Sequence, residues 1–206
     1  MTARALVLTA AISLLLPGAP AYAQRLTGTV VPEHYDLSFI VDLEHTRFEG
    51  TTGIDIIVKQ PTREIRLNAV DLRIGSVSVA AADRTQNASV TVNSSDETVT
   101  LTVPTAVPAG AARLQIAYEA PLNDNLRGLY VSRTARRSYA VTQFESTDAR
   151  RAFPCFDEPA FKATFSVTVT ADRDDTVISN GRMLSPRIDA APLPGYGSAR
   201  AIAAES

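Results

Sequence analysis

The side chains with chemistry to offer crowd into one stretch: Gln143, Glu145, Asp148, Arg150, Arg151, Cys155, Asp157 and Glu158. The two histidines of the chain, His34 and His45, lie far upstream. Cys155 with a histidine would make a nucleophile and base. A reactive thiol needs an electropositive, partly exposed setting, whereas Cys155 stands between Pro154 and Phe156, the company of a buried thiol packed as a small hydrophobe. Asp157 and Glu158 could suggest a glycosidase pair. Retaining carboxyls face each other across about 5 Å, which neighbours in a turn bounded by Pro159 do not arrange. Two histidines and one cysteine are also too few for a self-contained zinc site, which takes three or four ligands. Asp148, Arg150 and Arg151 are expected to form an ion-pair network that holds the loop, because the arginine fork braces loops against carboxylates and carbonyls. Gln143 and Glu145, spaced i, i+2, share one face if the strand before them continues. By residue type alone they are a solvated strand end.

These residues sit on a chain that alternates with period two. Tyr35, Leu37, Phe39 and Val41 alternate with Asp36, Ser38, Ile40 and Asp42. The same pattern recurs at Ile54–Val58, Val99–Val103, Leu114–Tyr118 and Phe165–Val169. Successive strand residues point to opposite faces, so each segment buries one face and wets the other. Turns are expected at Glu49-Gly50, Gln60-Pro61-Thr62, Asn93-Ser-Ser-Asp96, Pro108-Ala-Gly110 and Asn123-Asp-Asn125. No stretch carries a sustained helical repeat. The pattern predicts an all-β fold, an antiparallel sandwich or curved double sheet. Tyr139–Phe144 reads as a strand, Glu145–Arg151 as a charged loop, and Lys162–Ala171 as a strand again. A polar insert between two good strands is where function concentrates.

The whole chain has 206 residues, 45% hydrophobic and 20% charged, with a formal charge of −2. That is one or two domains, without the broad basic surface of a nucleic-acid binder. Residues 1–23 read as a secretory signal peptide: Arg4, an apolar run from Ala5 to Leu16, the breakers Pro17 and Gly18, then Ala21-Tyr22-Ala23. The run is shorter than the roughly 20 residues a bilayer requires, so no membrane span is expected after cleavage. Export to a periplasmic or extracellular setting follows. A lone cysteine closes no internal disulfide, leaving the core to hold the domain. Asn87-Ala-Ser and Asn93-Ser-Ser match the glycosylation pattern, a short and common one. Beyond Pro186 the alternation fades into Pro, Gly and Ala, so residues 24–186 are expected as the domain, and 187–206 as a tail or as a loop interrupted before its return strand.

The run Thr142-Gln-Phe-Glu-Ser-Thr-Asp-Ala-Arg-Arg-Ala-Phe-Pro-Cys-Phe-Asp-Glu-Pro-Ala-Phe-Lys-Ala-Thr-Phe165 resembles the signature of the aminopeptidase N family, the zinc-dependent gluzincin aminopeptidases. Pro32-Glu-His-Tyr-Asp-Leu37, Phe48-Glu-Gly50, Ile65-Arg-Leu-Asn-Ala-Val-Asp-Leu72, Gly128-Leu-Tyr130 and Val177-Ile-Ser-Asn180 extend the resemblance over residues 30 to about 184. It implies a saddle-shaped antiparallel N-terminal β domain. In the family a thermolysin-like catalytic domain follows. It carries H-E-x-x-H, which binds zinc, and a Gly-Ala-Met-Glu-Asn loop; neither motif occurs in this chain. The resemblance further implies that Glu145 pairs with the free α-ammonium of a peptide substrate and that Gln143 hydrogen-bonds near its first residue. The partners implied are peptides with a free N-terminus and the catalytic domain itself. The chain alone would then be inactive. The alternative is a stand-alone exported β module that binds peptides or proteins on its loops.

Overall fold

A computed structural model of the chain describes residues 26–187 and 199–205. Thirteen strands follow one another among them: β1 Val30–Asp42, β2 Arg47–Val58, β3 Thr62–Asn68, β4 Arg73–Ala81, β5 Arg84–Asn87, β6 Ser89–Asn93, β7 Thr98–Val107, β8 Gly110–Pro121, β9 Gly128–Arg133, β10 Ser138–Gln143, β11 Thr164–Asp172, β12 Arg182–Arg187 and β13 Ala199–Glu205. The sole helical element described is a single 3-10 turn, Ala149–Arg151. The expected all-β class is what forms. The signal peptide expected over residues 1–23 lies outside the described residues.

The strands make three sheets. One has eight strands in the order β12-β13-β11-β1-β2-β8-β4-β5; the others are β3-β7-β6 and the hairpin β9–β10. The large sheet is antiparallel except between β1 and β11, which run parallel with Tyr35 opposite Phe165 and Leu37 opposite Val167. The two strands are far apart in sequence, and such a pair needs a long connection. Most of the chain lies between them.

Period-two burial is clean in the long strands. Ile54, Ile56 and Val58 of β2, Leu114 and Ile116 of β8, and Leu101 and Val103 of β7 are fully enclosed. They join Ile65 and Leu67 of β3 and Leu129 and Val131 of β9 in one core. Apolar faces from all three sheets therefore bury one another, with β1 and β11 supplying the floor beneath the hairpin.

Two expectations are corrected. Glu49-Gly50 is not a turn. Gly50 is buried inside β2 opposite Tyr118, and a Cβ there would strike the Tyr118 ring. The glycine makes room for an aromatic on the next strand, and the chain reverses earlier, at 43–46, with Thr46 at φ 54°. Second, the 187–206 segment is not wholly a tail or interrupted loop. Residues 199–205 form β13, which lies between β11 and β12, Val169 opposite Ile202. The sheet thus extends past the expected boundary at 186. The Ala-rich sequence masked this strand, because its small side chains give little hydrophobic contrast between faces.

Candidate functional site

Gln143 ends β10, paired with Gly128 at the start of β9. Both Gln143 and Glu145 are exposed. The Glu145 N–H donates to Gln143 Oε1 at 3.1 Å, which leaves the Gln143 amide NH2 to donate outward. The Glu145–Ser146 peptide bond is cis. No described side chain neutralises the Glu145 carboxylate. Between the two, Phe144 turns inward and meets Phe153 edge-on, centroids 5.9 Å apart. A half-buried aromatic thus fixes the backbone while its two polar neighbours face outward. Sequence reasoning placed Gln143 and Glu145 together, and they are adjacent here.

The loop behind them is braced as expected. Arg150 is only 11% exposed and bridges Asp157 at 2.8 Å and Glu97 at 2.9 Å. Burial works against its charge, but hydrogen bonds and the charges of Asp157 and Glu97 outweigh this and raise its pKa. Arg151 reaches Asp148 at 3.0 Å and Asp71 at 2.6 Å. Glu97 and Asp71, the far partners, were not singled out from sequence; no local spacing ties residues 53 and 80 positions away to these arginines. Gly128 adopts φ +67°, and a Cβ on it would lie 2.5 Å from Arg151 Cβ. The start of β9 therefore rests directly on the brace.

Backbone bonds complete the fastening. Asn68 and Cys155 exchange N–H to C=O bonds of 2.8 and 3.0 Å, and the Val70 N–H donates to Arg150 O at 2.9 Å. The Asp157 N–H donates to Asn68 Oδ1.

The remaining candidates are structural. Cys155 is a free, buried thiol whose pKa burial pushes up. Asp157 is committed to Arg150, and Glu158 Oε1 accepts the Leu26 N–H at 2.9 Å. His34 lies on the opposite face of β1 from Tyr35, since strand neighbours alternate. It bonds to Thr164 Oγ1 at 2.7 Å and Asp36 Oδ1 at 3.2 Å. His45 bonds to Asp42 at 2.8 Å in the β1–β2 turn. Neither histidine meets Cys155. Among the described residues no three His, Cys, Asp or Glu side chains are grouped to hold a metal ion, so these residues do not fit the zinc that the resemblance implies for the parent enzyme. No described helix is long and apolar enough to cross a membrane.

Comparison with known proteins agrees with this geometry. The Peptidase M1 N-terminal domain matches residues 31–190. Aminopeptidase M1-A of Oryza sativa subsp. japonica is 34% identical over 174 residues, covering 80% of this chain and 20% of that protein. Aminopeptidase M1 of Arabidopsis thaliana is 36% identical, with the same coverage. Aminopeptidase N of Acetobacter pasteurianus is 37% identical over 163 residues, 77% of this chain and 45% of that protein. The chain thus spans about a fifth of the plant relatives and under half of the bacterial one. With a match that includes β1 through β12 and the braced Gln143–Glu145 loop, the chain belongs to the Peptidase M1 N-terminal domain family.

Proposed function

We propose that this chain is the N-terminal part of an exported zinc-dependent aminopeptidase, and that it anchors the free amino end of a peptide substrate. The observation that supports this most is the pairing of Gln143 and Glu145 on a rigid mount: both are outward-facing, the carboxylate is without a described cationic partner, and the loop is clamped by Arg150 and Arg151. A fixed carboxylate recognises an α-ammonium by charge and hydrogen bonding together. The Gln143 amide, its oxygen already engaged, offers N–H to the first residue's carbonyl. Because the bracing holds Glu145 in place before binding, little ordering is lost when the ligand arrives. Zinc chemistry belongs to polypeptide outside this chain, and no step here runs through it. This domain would form one wall of the substrate cleft.

The test is to read the source gene past the codon for Ser206, express the whole product, and assay it with and without Glu145→Gln. A frame that continues into H-E-x-x-H is expected. So is a kcat/KM at least 100-fold lower in the variant, with zinc content unchanged; that corresponds to losing one desolvated charge-assisted contact of about 3 kcal/mol. A stop codon directly after Ser206 in an expressed gene would sink the enzyme reading and leave the stand-alone binding module.

A further inference from the structure

Six asparagines stand in the chain, and Asn180 alone precedes a glycine. An asparagine loses its side-chain amide when the main-chain nitrogen of the next residue attacks the side-chain carbonyl. That ring closure needs a carboxamide free to swing and a following N–H that is not committed elsewhere. It also needs little bulk on the following residue, which glycine supplies.

The structure withholds at least one of these from the other five. Asn68 is buried, its Oδ1 accepts the Asp157 N–H, and the following N–H, on Ala69, donates to Glu97 O at 3.1 Å. The N–H after Asn87, on Ala88, donates to Val77 O at 3.0 Å. Asn93 is held at both side-chain atoms: Nδ2 donates to Asp96 Oδ2 at 2.9 Å and Oδ1 accepts from Ser95 Oγ at 2.8 Å. Asn123 is held in the same way, between Arg127 O and the Asn125 N–H. Asn125 precedes the branched Leu126, whose backbone stands at φ 60°.

Asn180 meets all three conditions. It is exposed, in the link 173–181 that joins β11 to β12 without strand structure. No hydrogen bond holds its carboxamide among the described residues. The Gly181 N–H donates to Ser179 Oγ at 3.4 Å, the long end of the range, where a bond is weak. Residues 176–181 also line an apolar cavity of about 670 Å3, with Leu37 and Phe39 of β1 and Val167 of β11 on its other side.

We propose that Asn180 is a modification site, the position at which the folded chain deamidates first, turning the neutral rim of this cavity anionic. The Gly181 nitrogen gives its proton to a base in solvent and bonds to Asn180 Cγ. The Cγ–Nδ2 bond breaks, and the amide leaves with a proton as ammonia. Water then opens the five-membered imide. Opening at the side-chain carbonyl gives aspartate; opening at the main-chain carbonyl gives isoaspartate, which lengthens the main chain by a methylene group. The new carboxylate joins Asp174 and Asp175 in the same link. The longer main chain falls just before Arg182, where β12 begins opposite Glu205 of β13.

The test holds the 206-residue chain in warm, mildly alkaline buffer and maps it by mass spectrometry after trypsin, which frees Asp174–Arg182. That peptide should gain about 1 Da as amide becomes acid, and should do so at least tenfold sooner than any peptide holding another asparagine. An isoaspartyl methyltransferase with a labelled methyl donor should mark it. In the native chain its rate should lie within about threefold of that in the free synthetic peptide, since an open link gives little protection. Gly181→Ala should slow conversion at least tenfold, in the chain and in the free peptide, where folding is not in question. A native chain that keeps Asn180 after the free peptide has converted overturns the proposal, and so does earlier conversion at another asparagine. An unchanged rate in Gly181→Ala overturns attack by the Gly181 nitrogen, and with it the proposed step.

Discussion

The phenol oxygen of Tyr35 accepts a hydrogen bond from the Phe156 N–H at 3.0 Å, joining residues 121 positions apart. Tyr35 is 3% exposed and stacks on Phe165 with centroids 4.8 Å apart. The bond therefore pins the end of the site loop to β1, the strand at the centre of the floor. Burial pushes the Tyr35 pKa up, with the nearby Cys155 adding to the effect. Tyr35→Phe keeps the ring but strands a buried N–H, a loss of about 1–3 kcal/mol. Urea unfolding should show the midpoint fall by that amount with an unchanged slope. A variant as stable as the parent would show that the bond contributes nothing.

Arg150 is the brace with most to lose. Arg150→Met keeps much of the side chain's bulk but leaves Asp157 and Glu97 without their shared cation. Breaking a fully buried pair costs about 3–5 kcal/mol. Glu97 is half in solvent, so about 2–3 kcal/mol is expected after screening. Hydrogen exchange in residues 145–157 should quicken more than in β2 or β8; uniform quickening would argue against a local clamp.

Gly128 carries a backbone requirement and a contact requirement at once. At φ +67° a side chain is strained, and its Cβ would press on Arg151. Gly128→Ala is expected to cost about 1–3 kcal/mol. It should also shift the amide resonance of Gln143, its partner across the hairpin. An unperturbed Gln143 would mean the hairpin adjusts freely.

Asp42 sets a pH dependence whose sign can be worked out. Burial raises its pKa, but the His45 N–H, the Arg47 guanidinium and the His45 ring together outweigh this and hold it below the ordinary aspartate value. A depressed folded pKa stabilises the fold above the unfolded value of about 3.9 and loses that contribution as pH falls through the folded pKa. The gap in stability between the parent and Asp42→Asn should be present at pH about 5 and narrow below about 4. A gap that is flat down to pH about 2 would remove the charge from the account.

Cys155 offers a check on burial. With its pKa pushed up and no exposed surface of consequence, the thiol should resist a disulfide-exchange reagent in the native protein and react at once in denaturant. Fast reaction under native conditions would contradict the packing of the Asn68–Cys155 bridge.

What the sequence by itself determined is the local part. Period-two alternation marked β1, β2, β7, β8 and β11, because burial of one strand face imprints directly on residue order. The charged loop and the buried Cys155 were legible for a similar reason: their neighbours in sequence are also their neighbours in space. Gln143 and Glu145 stood out only through the family resemblance, since by residue type they read as a solvated strand end. What only the tertiary structure decided is what depends on residues far apart. Gly50 reads as a turn until Tyr118 is laid across it from β8. The partners of Arg150 and Arg151 are Glu97 and Asp71, on other loops, and charge alone does not say which acid a given arginine meets. The parallel pairing of β1 with β11, and the placing of the small-residue strand β13 between β11 and β12, follow from how the sheet closes. So does the edge of β10 that no described strand pairs: whether a strand edge is covered is a property of the assembled sheets, since every strand carries the same unpaired groups until its neighbours arrive.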